Sequence, residues 1–143
     1  MATVEKSVLI EHTAAEMFTL VDDVAQYPAF LPWCSSVDLL EKTDTVTTAT
    51  VHLDFQGIKA EFSTVNDKTF PALMNMRLRE GMFRNLDGHW AFTPLGDAAC
   101  KVEFKLSYEF SNKVLEVAVG PVFKRIANTL IDAFVTRAAT IRG

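Results

Sequence analysis

A chain of 143 residues with formal charge -4, 49% apolar and 22% charged residues, has the size of one domain and the composition of a folded one, which excludes intrinsic disorder. The acidic balance speaks against a nonspecific grip on phosphate backbones, so DNA is not an expected partner. No stretch approaches the roughly 18 consecutive apolar residues of a spanning helix; MATVEKSVLIEHT carries Glu5, Lys6 and Glu11 where a signal peptide has an apolar run, and a cytoplasmic chain is expected.

Thr3 to Ile10 alternate branched and polar side chains, as a half-buried strand does, and Thr13-Ala-Ala-Glu16 reads as a capping box. Met17, Leu20, Val21 and Val24 then recur at helical spacing until Pro28, which is expected to stop the helix. Tyr27 to Cys34 is apolar, aromatic and twice interrupted by proline, which predicts one helical turn and a packed loop.

From Ser35 the period becomes two: Val37 and Leu39; Ala49, Val51, Leu53 and Phe55; then, past Gln56-Gly57, Ile58, Ala60 and Phe62. Pro71 and Gly81 bracket a strand with Met74, Met76 and Leu78, followed by Leu86, Trp90 and Phe92 up to the Pro94–Asp97 turn. Val102, Phe104, Leu106, Tyr108 and Phe110 alternate with polar residues, giving one dry and one wet face. After Asn112, a candidate N-cap, Leu115, Val119, Val122, Phe123, Ile126, Leu130, Phe134, Ala138 and Ile141 trace the stripe of a long helix, with a kink or early break expected at Gly120-Pro121.

One strand, two short helices, six strands and a long helix make an α+β chain in a single domain over 1–143. The arrangement is a helix-grip fold, in which a seven-stranded curved antiparallel sheet closes around the C-terminal helix. Such a sheet encloses apolar volume, and the expected lining is Phe62, Met74, Met76, Trp90, Phe92, Phe104, Tyr108, Val119, Phe123, Ile126 and Leu130. The same side chains also serve as plain core. Phe30, Leu31 and Trp33, with Met82 and Phe83, fall in predicted loops where apolar residues roof a pocket, touch a membrane or pack inward; nearby Arg84 and Lys113 are candidate contacts for anionic lipid.

Acid-base catalysis needs titratable groups inside the cavity, and the inward positions offer almost only apolar side chains and Tyr108, so no catalytic residue is assigned and no enzyme is expected. His12, His52 and His89 lack metal-ligand spacing, and no metal is expected. Cys34 and Cys100 read as reduced thiols, Cys34 as a packed one. Arg77 and Arg79 on one strand and Lys101 and Lys105 on another point outward, a candidate RNA contact if the strands are neighbours; Glu61, Glu103 and Glu109 are positioned to neutralise them.

Tyr27-Pro28, Phe30-Leu31-Pro32-Trp33-Cys34, Gly81-x-Phe83, Leu86-x-Gly88-x-Trp90-x-Phe92-x-Pro94-Leu95 and Ala133-Phe134 with Arg137-Ala138 together resemble the coenzyme Q-binding protein family. That family has bacterial relatives called ribosome association toxins and sits in the START-like, or polyketide-cyclase-like, superfamily. The chain departs from the family pattern at Met82, where a proline is usual, and at Pro121, where none is.

The resemblance implies a pocket for ubiquinone or a similar prenylated lipid, as a bound ligand rather than a required cofactor, in support of respiration. Peripheral contact with the inner membrane goes with this reading. The alternative it implies is a ribosome association toxin that binds the large ribosomal subunit and blocks subunit joining. A second alternative is a polyketide cyclase or aromatase.

Overall fold

The computed structural model describes residues 2–142, with side chains over 2–140; the side chain of Ile141 lies outside the described residues. In chain order the elements are β1 (Ala2–Ile10), α1 (Ala14–Asp22), a 3-10 turn (Val24–Gln26), α2 (Tyr27–Phe30), β2 (Cys34–Lys42), β3 (Val46–Phe55), β4 (Ile58–Thr69), β5 (Leu73–Gly81), β6 (Phe83–Pro94), β7 (Cys100–Phe110) and α3 (Lys113–Arg142). The seven strands form one antiparallel sheet in the order β1-β7-β6-β5-β4-β3-β2, which makes β1 and β2 its edges. α3 crosses the concave face, and the predicted helix-grip architecture is the one observed.

The capping box closes as the sequence implies: Thr13 Oγ1 accepts the Glu16 amide, and Glu16 Oε1 accepts the Thr13 amide. The helix it starts ends at Asp22, however, well short of Pro28. Pro28 lies in the first turn of α2, where its missing amide hydrogen costs nothing, so it opens a helix rather than stopping one.

Asn112 caps α3, its Oδ1 accepting the Leu115 amide at 2.9 Å. The expected early break does not occur, because α3 runs through Pro121. The carbonyl that Pro121 leaves without a donor belongs to Val117, a well exposed residue that water can serve.

Two positions on the sheet depend on glycine. Gly81 has φ +135°, and a Cβ there would stand 2.7 Å from Cα of its β4 partner Phe62, so this end of the β4–β5 pairing needs a residue without a side chain. Gly88 lies opposite Met76, whose side chain fills the space a Cβ would take, 3.1 Å from its sulfur.

Candidate functional site

Alternation along β6 and β7 sends Leu86, Trp90 and Phe92, and Val102, Phe104, Leu106, Tyr108 and Phe110, to the concave face, where Val119, Phe123, Ile126, Ile131 and Phe134 of α3 meet them. The rings gather in two groups. Near the start of α3, Phe123 contacts Phe83 (5.0 Å between centroids), Tyr108 (4.8 Å), Phe62 (6.0 Å) and Phe110 (6.1 Å). Toward its other end, Trp90 stands 4.4 Å from Phe104 and 5.5 Å from Phe134, and Tyr27 and Phe30 close on Phe134 at 5.5 Å.

The predicted lining residues Leu31, Phe62, Met74, Phe83, Trp90, Phe92, Phe104, Tyr108, Val119, Phe123 and Ile126 are buried, while Phe30, Trp33, Met76 and Leu130 are half-buried. The first ring group takes Phe62, Phe83, Tyr108 and Phe123; the second takes Phe30, Trp90, Phe92 and Phe104. These side chains touch one another across most of the interior, as core residues do. A cavity of about 520 Å³ borders the first group, lined by Ala2, Tyr108, Glu109, Phe110, Glu116, Gly120, Pro121 and Lys124. Among the described residues no group hydrogen-bonds the Tyr108 hydroxyl, and burial raises its pKa.

Met82 lies in the connection between β5 and β6, as read, whereas Phe83 belongs to β6, and both pack inward. They are 7% and 4% exposed. Phe83 stacks on Phe110 with centroids 5.0 Å apart, because it begins β6 on its inward register. Arg84 and Lys113, the candidate lipid contacts, are engaged with Glu109 (3.6 Å) and Glu116 (3.7 Å).

The concave face is also less apolar than expected. Past Phe62, the alternation of β4 continues inward with Thr64, Asn66 and Lys68, and β3 contributes Thr47; all are buried. Lys68 Nζ donates to Asp22 Oδ2 at 2.8 Å, and Thr47 Oγ1 donates to Asp22 Oδ1 at 2.7 Å. Thr64 donates to Asn66, and the Tyr27 hydroxyl donates to the Val21 carbonyl. The signal was present in the sequence, since extending the period of Ile58, Ala60 and Phe62 reaches these three positions.

Cys34 and Cys100 are free and buried. Burial pushes the Cys34 thiol up to about 11, partly opposed by the Ser36 backbone; burial and then Glu16 raise that of Cys100. Neither is a thiolate near neutral pH, which removes nucleophilic chemistry from both. Among the described residues no cluster of His, Cys, Asp and Glu has the arrangement of a metal site. His52 lies between Asp38 (2.7 Å) and Glu61 (3.2 Å) across three strands.

The outward cations are corrected in turn. β5 and β7 are not neighbours, because β6 lies between them. Arg77 pairs with Asp67 (3.0 Å), Arg79 with Glu80 (2.9 Å), Lys101 with Glu103 (3.9 Å) and Lys105 with Glu5 (3.4 Å). These four cations are therefore neutralised by neighbouring carboxylates.

Residues 10–135 match the family model described as polyketide cyclase / dehydrase and lipid transport. The chain belongs to this family. It is 42% identical, over 100% of its own length and 99% of the other, to the ribosome association toxin RatA of Vibrio cholerae. It is 25% identical to the mitochondrial coenzyme Q-binding protein coq10 of Schizosaccharomyces pombe, covering 91% of this chain and 82% of that one.

Among solved structures, the Thermus thermophilus protein TTHA0849 superposes with a TM-score of 0.83 at 16% identity, over 99% of this chain and 100% of the other, which is a likeness of fold. The kinship read from the proline-aromatic-cysteine and strand motifs therefore stands for this member of the polyketide cyclase / dehydrase and lipid transport family. Among its described residues no helix is long and apolar enough to cross a membrane.

Proposed function

We propose that this protein associates with the ribosome in the cytoplasm, engaging the large subunit and opposing subunit joining. The observation that carries the reading is the 42% identity to a ribosome association toxin, extending from end to end of both chains. An interior filled by interlocking rings agrees with a protein that works through its surface. Buried Asp22 and Lys68 satisfy each other, which leaves them poor acid-base catalysts and favours a non-enzymatic role. Sedimentation of purified protein with isolated large and small subunits tests the proposal. Recovery with the large subunit is expected, and protein remaining at the top of the gradient with both subunits would reject it.

A second reading, a carrier of ubiquinone or a similar prenylated lipid, is favoured by one observation: the unpartnered Tyr108 hydroxyl beside the cavity of about 520 Å³. The hydroxyl supplies a donor for a quinone carbonyl, and the neighbouring Phe110 and Pro121 supply apolar contact for a prenyl chain. Mass spectrometry of a solvent extract of the purified protein tests it, with a co-purified quinone expected.

A further inference from the structure

The ribosome reading requires a surface that meets the ribosome, and the cations of β5 and β7 are occupied. Among the described Lys and Arg, those without a carboxylate partner are Lys6, Lys59, Lys124, Arg125 and Arg137; three of the five lie on α3. Two of these are held in a particular way. The guanidinium of Arg137 lies over the Phe30 ring, 5.1 Å from its centroid, and that of Arg125 lies over Phe55 at 5.9 Å. Arg137 Nε is buried with no acceptor, and it is the only such nitrogen among the described side chains, so the Nη groups are the ends left at the surface.

The two arginines bound a seam where α3 faces α2 at one end and the last residue of β3 at the other. Phe30 leads through Leu31 and Pro32 to half-buried Trp33, whose carbonyl accepts the amide of Asp54, the neighbour of Phe55, at 2.9 Å. The seam thus presents the ring sequence Phe30, Trp33, Phe55 with an unpaired guanidinium at each end, about 18 Å apart along the helix axis. Asp132 is the single acidic residue from 117 to 140, so this stretch of α3 is cationic in an otherwise acidic chain.

We infer that this seam is a binding surface for a single-stranded segment of RNA, with Arg125 and Arg137 donating to phosphates and the half-exposed rings offering stacking faces to bases. The inference rests on the ribosome reading and names the part of the ribosome that the protein touches. A planar cation fixed on an aromatic ring is already desolvated on one face and oriented for bidentate phosphate contact, which a free lysine is not. Interleaved rings and cations are what unpaired RNA engages, because its bases are free to stack while its backbone needs neutralising. Arg77, Arg79, Lys101 and Lys105 on the convex face offer neither feature, since each is paired with a carboxylate.

The test uses the full chain, a fluorescein-labelled oligouridylate, isolated large subunits and vesicles of phosphatidylglycerol. Fluorescence anisotropy of the oligouridylate should show saturable binding. Arg125→Glu combined with Arg137→Glu should weaken it by at least about tenfold and make its salt dependence shallower by about 1.4 in slope. Lys101→Glu combined with Lys105→Glu on the convex face should leave it unchanged. Arg125→Lys with Arg137→Lys, which keeps charge without the planar stack, should retain the salt slope yet bind more weakly, and thermal melts by circular dichroism establish that each variant is folded.

Absence of oligouridylate binding, or equal loss from the convex-face variant, would overturn the inference. So would binding to the vesicles in place of RNA, which would make the seam a lipid surface. If the glutamate variant still sediments with large subunits as the wild type does, the seam is wrong and the ribosome reading survives; if the wild type itself fails to sediment, the ribosome reading has failed.

Discussion

Lys68 and Asp22 meet inside the protein, Nζ to Oδ2 at 2.8 Å, with side chains only 3% and 11% exposed, and so tie the end of α1 to the inner face of β4. Removing Lys68 leaves buried Asp22 with only the half-exposed Lys42, 3.9 Å away, and the Thr47 hydroxyl. Lys68→Ala is expected to destabilise the fold by about 3 kcal/mol, whereas Lys68→Met with Asp22→Leu should recover most of that loss. Urea unfolding of the two variants measures the difference, and equal stability would show that the pair is solvated.

The buried thiol gives stability a dependence on alkaline pH. In the unfolded chain Cys34 ionises near its ordinary 9.0, while in the fold it stays protonated up to about 11. The raised folded value means that its contribution is fully present below pH 9 and is lost as pH climbs from about 9 to 11. Urea midpoints across that window should fall, and Cys34→Ala should flatten part of the decline. An unchanged slope in the variant would place the thiol in contact with solvent.

Gly81 has φ +135°, with Phe62 Cα only 2.7 Å from where a Cβ would stand. Gly81→Ala forces β5 away from Phe62 of β4 and should cost at least about 2 kcal/mol, with Phe83 and Phe123 losing their contact with Phe62. Gly57 makes the comparison, since nothing lies within 4 Å of a Cβ there and only its positive φ is strained. Thermal melts of the two alanine variants should rank Gly81 as the more damaging site.

If a prenyl quinone occupies the cavity at Tyr108, the hydroxyl is its natural hydrogen-bond donor. Tyr108→Phe keeps the ring packed on Phe123 and removes only that donor, which should weaken quinone binding by roughly fivefold, the worth of one neutral hydrogen bond. Quenching of tryptophan fluorescence on titration with a short-chain ubiquinone measures it. Identical curves for both proteins would take Tyr108 out of the account.

Much of this fold was legible because one residue in two of β7 is large and apolar, and because Thr13 and Asn112 sit where helices start. Those are local signals. What escaped the sequence was non-local: Lys68 reads as a surface lysine until Asp22, 46 residues earlier, is placed beside it. Phe83 follows Gly81-Met82 and so reads as a loop residue, although its register on β6 turns it inward. Arg77 and Lys105 read as one basic face until β6 is seen to separate their strands and Asp67 and Glu5 to pair with them. The guanidinium of Arg137 gave no signal beyond its place in a motif, since the ring beneath it comes from α2, at the other end of the chain.

Action on ribosome assembly is tested by the sucrose-gradient profile of purified subunits mixed under joining conditions with increasing protein. The joined-ribosome peak should shrink progressively with matching growth of the free subunits, and the protein should be found in the large-subunit fractions. A joined peak that persists undiminished at saturating protein would contradict it.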